Sequence, residues 1–439
     1  MYSTTPAFNL KAVLKETGLP ADTLRAWERR YGLPVPNRTA GGHRLYSQRD
    51  IETIKWLMKR QSEGLSISRA VDLWNEQTAS GADPLSQSAQ LAPATLIQYH
   101  PPQTTIDSLR AQWIQACLEF SESAAEETLN QAFSMFPAEL VCRDVLQQGL
   151  SEIGERWYQN SASAQQEHFA SGLAMRRLDA LLSATPSPTR RQTVLVGCPP
   201  EEWHTFTPLL LALLLRRRGL NVVYLGANVP ADQFASSVRD MNAELVILIS
   251  QQLTTAATLQ RTAAVLASKE IPVAFGGRIF NIHPTLAQSI SGSFLGAHLP
   301  DAVENVEAGL RRRWKPNDPA VPSRSYVSTH RAFLASQGMI EMTFEQLLDP
   351  RSRSQENIKT GMHFLSQNIA AALQLGDLAH VSSEIEWLKG LLKTHGGEPE
   401  LLTYFMEIYT QAVNQTMDGQ GRYISEWLAR ELEKLHSAA

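Results

Sequence analysis

"TVLVGCPPEEWHTFTPLLLALLLRRRGLNVVYLG", residues 193–226, sets a short apolar β-rich run, a polar loop, an apolar helical stretch and a second β-rich run in sequence. The pattern recurs through "ADQFASSVRDMN" (231–242), "LVILIS" (245–250) and "PVAFGG" (272–277). Short valine-rich and isoleucine-rich runs alternating with helices predict a parallel sheet covered by helices on both faces, here over residues 190–313. An open sheet of this kind binds ligands in the loops after the carboxyl ends of its strands. His204 falls in the first such loop, with Glu202 two residues before it. An imidazole on a loop beside a carboxylate able to polarise it is a candidate metal ligand, although a single surface histidine is the plainer explanation. Ser250 ends one strand run and Gly276-Gly277 another, bringing a hydroxyl and two bare backbones to the same edge. Neither GxGxxG nor GxxxxGK[ST] occurs here, so dinucleotide and P-loop chemistry lose their main support.

Outward from the sheet, the 439 residues suggest two to four domains, and 43% hydrophobic content is ample for real cores. Residues 76–107 carry Gly, Pro, Ser and Gln without sustained periodicity and are expected to be a linker. Residues 184–192 form a short hinge and 314–324 a Pro-rich boundary. Residues 108–183 and 325–439 show apolar spacing of three to four and are expected to be helical. No apolar run nears the roughly 20 residues of a membrane span, and the start lacks the pattern of a secretion signal. Cys117, Cys142 and Cys198 are scattered and fit neither a disulfide framework nor a zinc module, which points to a reducing cytoplasm.

Net charge is −4, yet residues 1–75 carry 12 Lys+Arg against 7 Asp+Glu. A basic head on an acidic body is a pattern to test for nucleic-acid contact. "FNLKAVLKETGLPADTLRAWERRYGL" reads as two short helices around a turn, the second started by Asp22-Thr23. Arg25, Trp27, Arg29 and Arg30 lie on that second helix. "NRTAGGHRLYS" is a hairpin with a Gly-Gly tip flanked by Arg38, His43, Arg44 and Tyr46, a wing suited to phosphate contact. A solvated basic face would be the ordinary account of such cations. Residues 1–75, however, resemble the winged helix-turn-helix head of MerR-type transcription regulators. By that resemblance Arg25, Trp27, Arg29, Arg30, Arg44 and Tyr46 would contact double-stranded operator DNA.

The sheet region resembles the cobalamin-binding Rossmann-like domain, whose signature is D/E-x-H-x-x-G followed by a Ser and then Gly-Gly. The resemblance implies His204 as lower cobalt ligand, with Glu202 beside it, and a nucleotide tail buried near Ser250, Gly276 and Gly277. Thr207 stands where the signature has Gly, so a Cβ and a hydroxyl would narrow the tail channel.

In "RWYQNSASAQQEHFAS" (156–171) nine residues separate Trp157 from Glu167-His168. On one unbroken helix Trp157 and His168 would lie ~16 Å apart along the axis, but "QNSAS" can break it, and Ser163 with Gln166 resembles a capping box. The order of head, helices and sheet is similar to that of CarH/LitR-like light-responsive regulators, in which a four-helix bundle caps the cobalamin. The resemblance implies a lid of Trp157 and Glu167 over adenosylcobalamin, with His168 the possible upper ligand after photolysis. It further implies a repressor, not an enzyme, switching between assembly states as a dimer or tetramer. Two alternatives stay open: a MerR-type regulator answering another ligand or none, and a corrinoid methyl-transfer or mutase protein. Residues 325–439 exceed the family pattern; dimerisation, docking on the cap, or a second pocket for a tetrapyrrole such as a bilin would each suit them.

Overall fold

The computed structural model describes residues 2–38, 42, 44–62, 67–80, 83–85, 104–312, 314, 318–349, 355–397 and 399–437. They form two compact units, Met1–Pro102 and Gln103–Ala439.

The first unit contains β1 (Phe8–Asn9), α1 (Leu10–Thr17), α2 (Ala21–Tyr31), β2 (Asn37–Arg38), β3 (Arg44–Tyr46), α3 (Gln48–Ser62) and α4 (Ile67–Ala79). The Asn9 side chain caps α1 by accepting from the Ala12 N–H, and Gly18 ends it in the left-handed region. Helix α2 begins after Pro20 with no side-chain cap. Asp22, expected to start it, sits instead in its first turn, where its charge opposes the positive end of the helix dipole. The strands form an antiparallel sheet in the order β1-β3-β2, with Asn37 opposite Leu45, so β2 and β3 build the wing. Its core joins Val13, Leu24, Trp27, Tyr46 and Ile54 to Trp56 and Trp74, whose rings meet edge-on at 5.2 Å. Most of the expected linker, residues 86–103, lies outside the described residues.

The second unit opens with a helical bundle. It comprises α5 (Ile106–Leu118), α6 (Glu122–Met135), α7 (Ala138–Val141) continuing through a π-helical turn into α8 (Gln148–Tyr158), and α9 (Ala164–Ser183). Next come β4 (Thr193–Gly197), α10 (Phe206–Arg217), β5 (Asn221–Gly226), α11 (Ala231–Met241), β6 (Leu245–Ile249) and α12 (Leu253–Ala267). The sheet region closes with β7 (Val273–Gly276), α13 (Arg278–Ile282), β8 (Ser293–Phe294) and α14 (Leu299–Arg312). All five strands are parallel, in the order β5-β4-β6-β7-β8.

Because strand side chains alternate, the sheet feeds two cores. Val194, Val196, Ile247 and Ile249 pack with α10 and the bundle helices. Leu195, Val246, Leu248 and Phe275 face the other way, into a core shared with α12 and the C-terminal helices. Those are α15 (Arg324–Leu347), α16 (Gln355–Leu375), α17 (Ala379–Thr394), α18 (Pro399–Met417) and α19 (Arg422–Ser437). The C-terminal helices thus continue the core of the sheet. Gln374 of α16 donates to the Ala257 carbonyl of α12 at 2.8 Å. No helix among the described residues is long and apolar enough to cross a membrane. Cys117, Cys142 and Cys198 are free and buried, and burial pushes each thiol up to about 12.

Candidate functional site

The loop after β4 turns on Glu201, whose N–H is held by the Asn228 side chain at 2.9 Å. That turn sends Glu202 inward, fully buried, and leaves the His204 side chain 57% exposed. One Glu202 oxygen accepts from His204 Nδ1 at 2.6 Å and from the His204 N–H at 2.9 Å. The other accepts from the Gln251 N–H at 2.7 Å and from Thr255 Oγ1 at 2.6 Å. Burial alone would raise the Glu202 carboxyl, but the bonds from His204, Thr255 and Gln251 outweigh it and hold the group below the usual range. The same bond from Glu202 raises the His204 imidazole above its ordinary value, against burial, with help from the nearby charge of Glu167. A carboxylate only accepts, so Nδ1 carries the proton of this bond and Nε2 is the nitrogen available to a ligand.

Thr207, Gly276, Gly277 and Arg278 line an open cavity of about 140 Å³ together with Gln147 before α8 and Gly296 before α14. Gly277 has φ 125°, and a Cβ there would overlap the Ser250 carbonyl oxygen, so no other residue fits without displacing the β6 end. Thr207, at the start of α10, is one of the residues bordering the cavity. Ser250 corrects the expectation of a ligand-facing hydroxyl. It is fully buried and donates to the Thr255 carbonyl at 2.9 Å, stitching β6 to α12 behind the cavity wall.

At the bundle corner α8 stops at Tyr158 and α9 starts after Ser163, with the reciprocal Ser163–Gln166 capping box in place. Glu167 accepts from His168 Nδ1 at 2.8 Å and from Ser171 Oγ at 2.9 Å, while the His168 side chain is 80% exposed. Glu167 thus comes near enough to His204 for its charge to act there. Trp157 has different company: its ring lies 6.3 Å from that of Trp387 and 5.9 Å from that of His395, both C-terminal.

In the head, Arg25, Arg29, Arg30 and Arg38 are exposed, as phosphate or base contacts require. Trp27 and Tyr46 correct the expectation of direct contact, because both side chains lie in the core, 5% and 0% exposed. Arg44, its side chain 32% exposed, donates from Nε to Glu28 at 2.8 Å, and the Tyr46 hydroxyl donates to the same carboxylate. These residues fix the wing to α2. His43 lies outside the described residues.

Several residues of the site escape sequence reasoning. Thr255 and Gln251 hold Glu202 from another strand-loop, and Glu28 organises the wing from inside α2. Arg278, directly after Gly276-Gly277, was the most accessible of them to a reader of the sequence. Among the described residues no group of three or more His, Cys, Asp or Glu is arranged to hold a metal ion by itself. An outward Nε2, a carboxylate-fixed tautomer and an adjoining cavity with glycine in its wall fit a corrinoid.

Residues 8–77 match the MerR HTH family of regulatory proteins, and residues 109–182 and 192–297 match two B12 binding domain families. The HTH-type transcriptional repressor CarH of Myxococcus xanthus is 30% identical over 294 residues, 66% of this chain and 95% of the relative. CarA of the same organism, also an HTH-type transcriptional repressor, is 28% identical over 243 residues, 54% and 75% of the two chains. Among solved structures, the monomethylamine corrinoid protein of Methanosarcina barkeri is 16% identical with a TM-score of 0.39, covering 46% of this chain and 96% of that one.

Proposed function

The chain belongs to the cobalamin-binding, CarH-type transcription regulators with a MerR head, and we propose that it is a light-sensing repressor loaded with adenosylcobalamin. The observation that carries this reading is the Glu202–His204 pair, which fixes an exposed imidazole in the loop after β4, three residues before Thr207 of the cavity wall. His204 would supply Nε2 as lower ligand, with Glu202 holding the ring from its far side. Gly276, Gly277, Thr207 and Arg278 would receive the nucleotide tail. Adenosylcobalamin, when bound, supplies a cobalt–carbon bond weak enough for visible light to break. Trp157 and Glu167 would cover the upper side in the dark, and His168, exposed and bonded through Nδ1 to Glu167, would turn inward after illumination.

A lid that fits one ligand state better than the other shifts the chain between two conformations only by its difference in affinity for them. The readout would be the assembly of copies, dimer or tetramer, on operator DNA contacted by Arg25, Arg29, Arg30 and Arg38. The test is an absorption spectrum of purified protein with adenosylcobalamin, dark and illuminated, alongside retention of operator DNA. The spectrum and the retained fraction should both change with light. Identical dark and light behaviour would end the photoswitch reading, and absence of any bound corrinoid would end the cofactor assignment.

A further inference from the structure

One C-terminal helix reaches both the segment after α13 and the bundle corner. At the start of α17 the His380 ring lies 4.7 Å from that of His283, just past α13, and Ser383 Oγ lies 3.0 Å from His283 Nε2. Glu384, one residue on, is raised by burial and opposed by the charge of Arg278, the same Arg278 that borders the cavity and acts on His204. At the other end Trp387 stacks on Tyr158 with ring centres 5.8 Å apart. Thr394 Oγ1 donates to the Tyr158 carbonyl at 2.7 Å, and His395 Nε2 lies 3.0 Å from the Trp157 carbonyl. Those carbonyls belong to the last turn of α8, and that of Trp157 also accepts from the Asn160 N–H at 2.9 Å. Gly390 is the seat of this contact, since a Cβ there would overlap the Tyr158 hydroxyl. From His380 to Thr394 the helix rises ~21 Å. Behind it, Ser382 donates to the buried Glu431 at 2.8 Å and accepts from Trp427 Nε1 at 3.2 Å, pinning α17 to α19.

We propose that α17 is a strap joining the sheet edge to the bundle corner, and that Trp387, Gly390 and His395 are positioning residues for the lid Trp157. The importance of the strap for a corrinoid rests on the function proposed above; its mechanical part does not. Trp157 cannot swing without breaking its contact with Trp387 and His395. An upper group that displaces Trp157 therefore pushes on α17 and on the whole C-terminal bundle, and a corrinoid enters after this end of α17 has lifted.

The experiment compares the full chain with its Gly390→Leu, Trp387→Ala and Trp387→Tyr variants. Leu keeps α17 helical while wedging it off Tyr158. Amide hydrogen exchange of residues 156–163 is followed without cofactor, and hydroxocobalamin uptake is followed by absorbance. Gly390→Leu and Trp387→Ala should each speed exchange at the corner at least tenfold and accelerate uptake, whereas Trp387→Tyr, which keeps a ring, restores slow exchange and slow uptake. Corner exchange as slow in Trp387→Ala as in the parent overturns the strap, whether or not Gly390→Leu folds. If the parent takes up no hydroxocobalamin, the cofactor assignment falls, and the exchange data alone decide the strap.

Discussion

Glu28 in the head and Glu202 at the sheet edge are both nearly inaccessible carboxylates, with side chains 9% and 0% exposed, yet their basic partners differ in exposure, 32% for the Arg44 side chain and 57% for that of His204. Glu28 accepts from Arg44 Nε and from the Tyr46 hydroxyl, tying two residues of the wing to α2. Glu202 takes one nitrogen of His204 and leaves the other without a bond to the carboxylate. The first carboxylate anchors a wing. The second fixes the tautomer and direction of an exposed ring.

Glu202→Ala would test the second half of that contrast most severely. Loss of the group orienting a metal-bound His lowers metal affinity about 10–100-fold, so cobalamin titration should weaken on this scale. The Gln251 N–H would also be left without its acceptor, at about 1–3 kcal/mol when buried, while the Thr255 hydroxyl keeps the Gln252 carbonyl at 3.1 Å. Unchanged affinity would mean that His204 needs no support. Glu28→Ala should loosen the wing: DNA retention is expected to fall about tenfold, since a hydrogen bond to a charged group contributes about 1.5–3 kcal/mol. Cobalamin titration should stay as in the parent, and a change there would break the separation between the two carboxylates.

His283 and His380 offer a third case, imidazoles with no carboxylate bond between them. Burial lowers both, with the His380 charge adding to the effect on His283 and Asp377 opposing it for each. A depressed folded value means that the neutral rings contribute stability above the ordinary value of about 6.5, and that this is lost as pH falls through the folded values below it. Thermal unfolding of the second unit should therefore become easier on acidification below pH ~6, where these rings gain protons, and His380→Gln should flatten that dependence. The smallest effect is expected from Thr207→Gly, which enlarges the cavity by a few atoms. It should tighten cobalamin binding by about twofold to tenfold, within the range of one methylene-sized change, and weaker binding would show that Thr207 contributes a contact of its own.

Local chemistry made much of this legible. The short apolar strand runs, the loop placing Glu202 and His204 two residues apart, the Gly276-Gly277 strand end and the Ser163–Gln166 box are short-range features that neighbours along the chain dictate. The basic helix and wing were equally visible, because clustered exposed cations leave a compositional mark.

Which way a large side chain turns was another matter. Trp27 and Tyr46 look like contact residues in the sequence, yet they close the head core once α3 and α4 fold over them. Ser250 spends its hydroxyl on a carbonyl five residues away in the chain, across the turn into α12. The partners of Trp157 lie more than 220 residues further along, and the vacancy at Gly390 has meaning only where Tyr158 fills it. Sequence alone determined the order of the domains and the chemistry of the loop, because those depend on periodicity and on near neighbours. Tertiary structure decided which polar atoms remain free, because burial and hydrogen-bond saturation are settled by elements that meet only after the chain has folded.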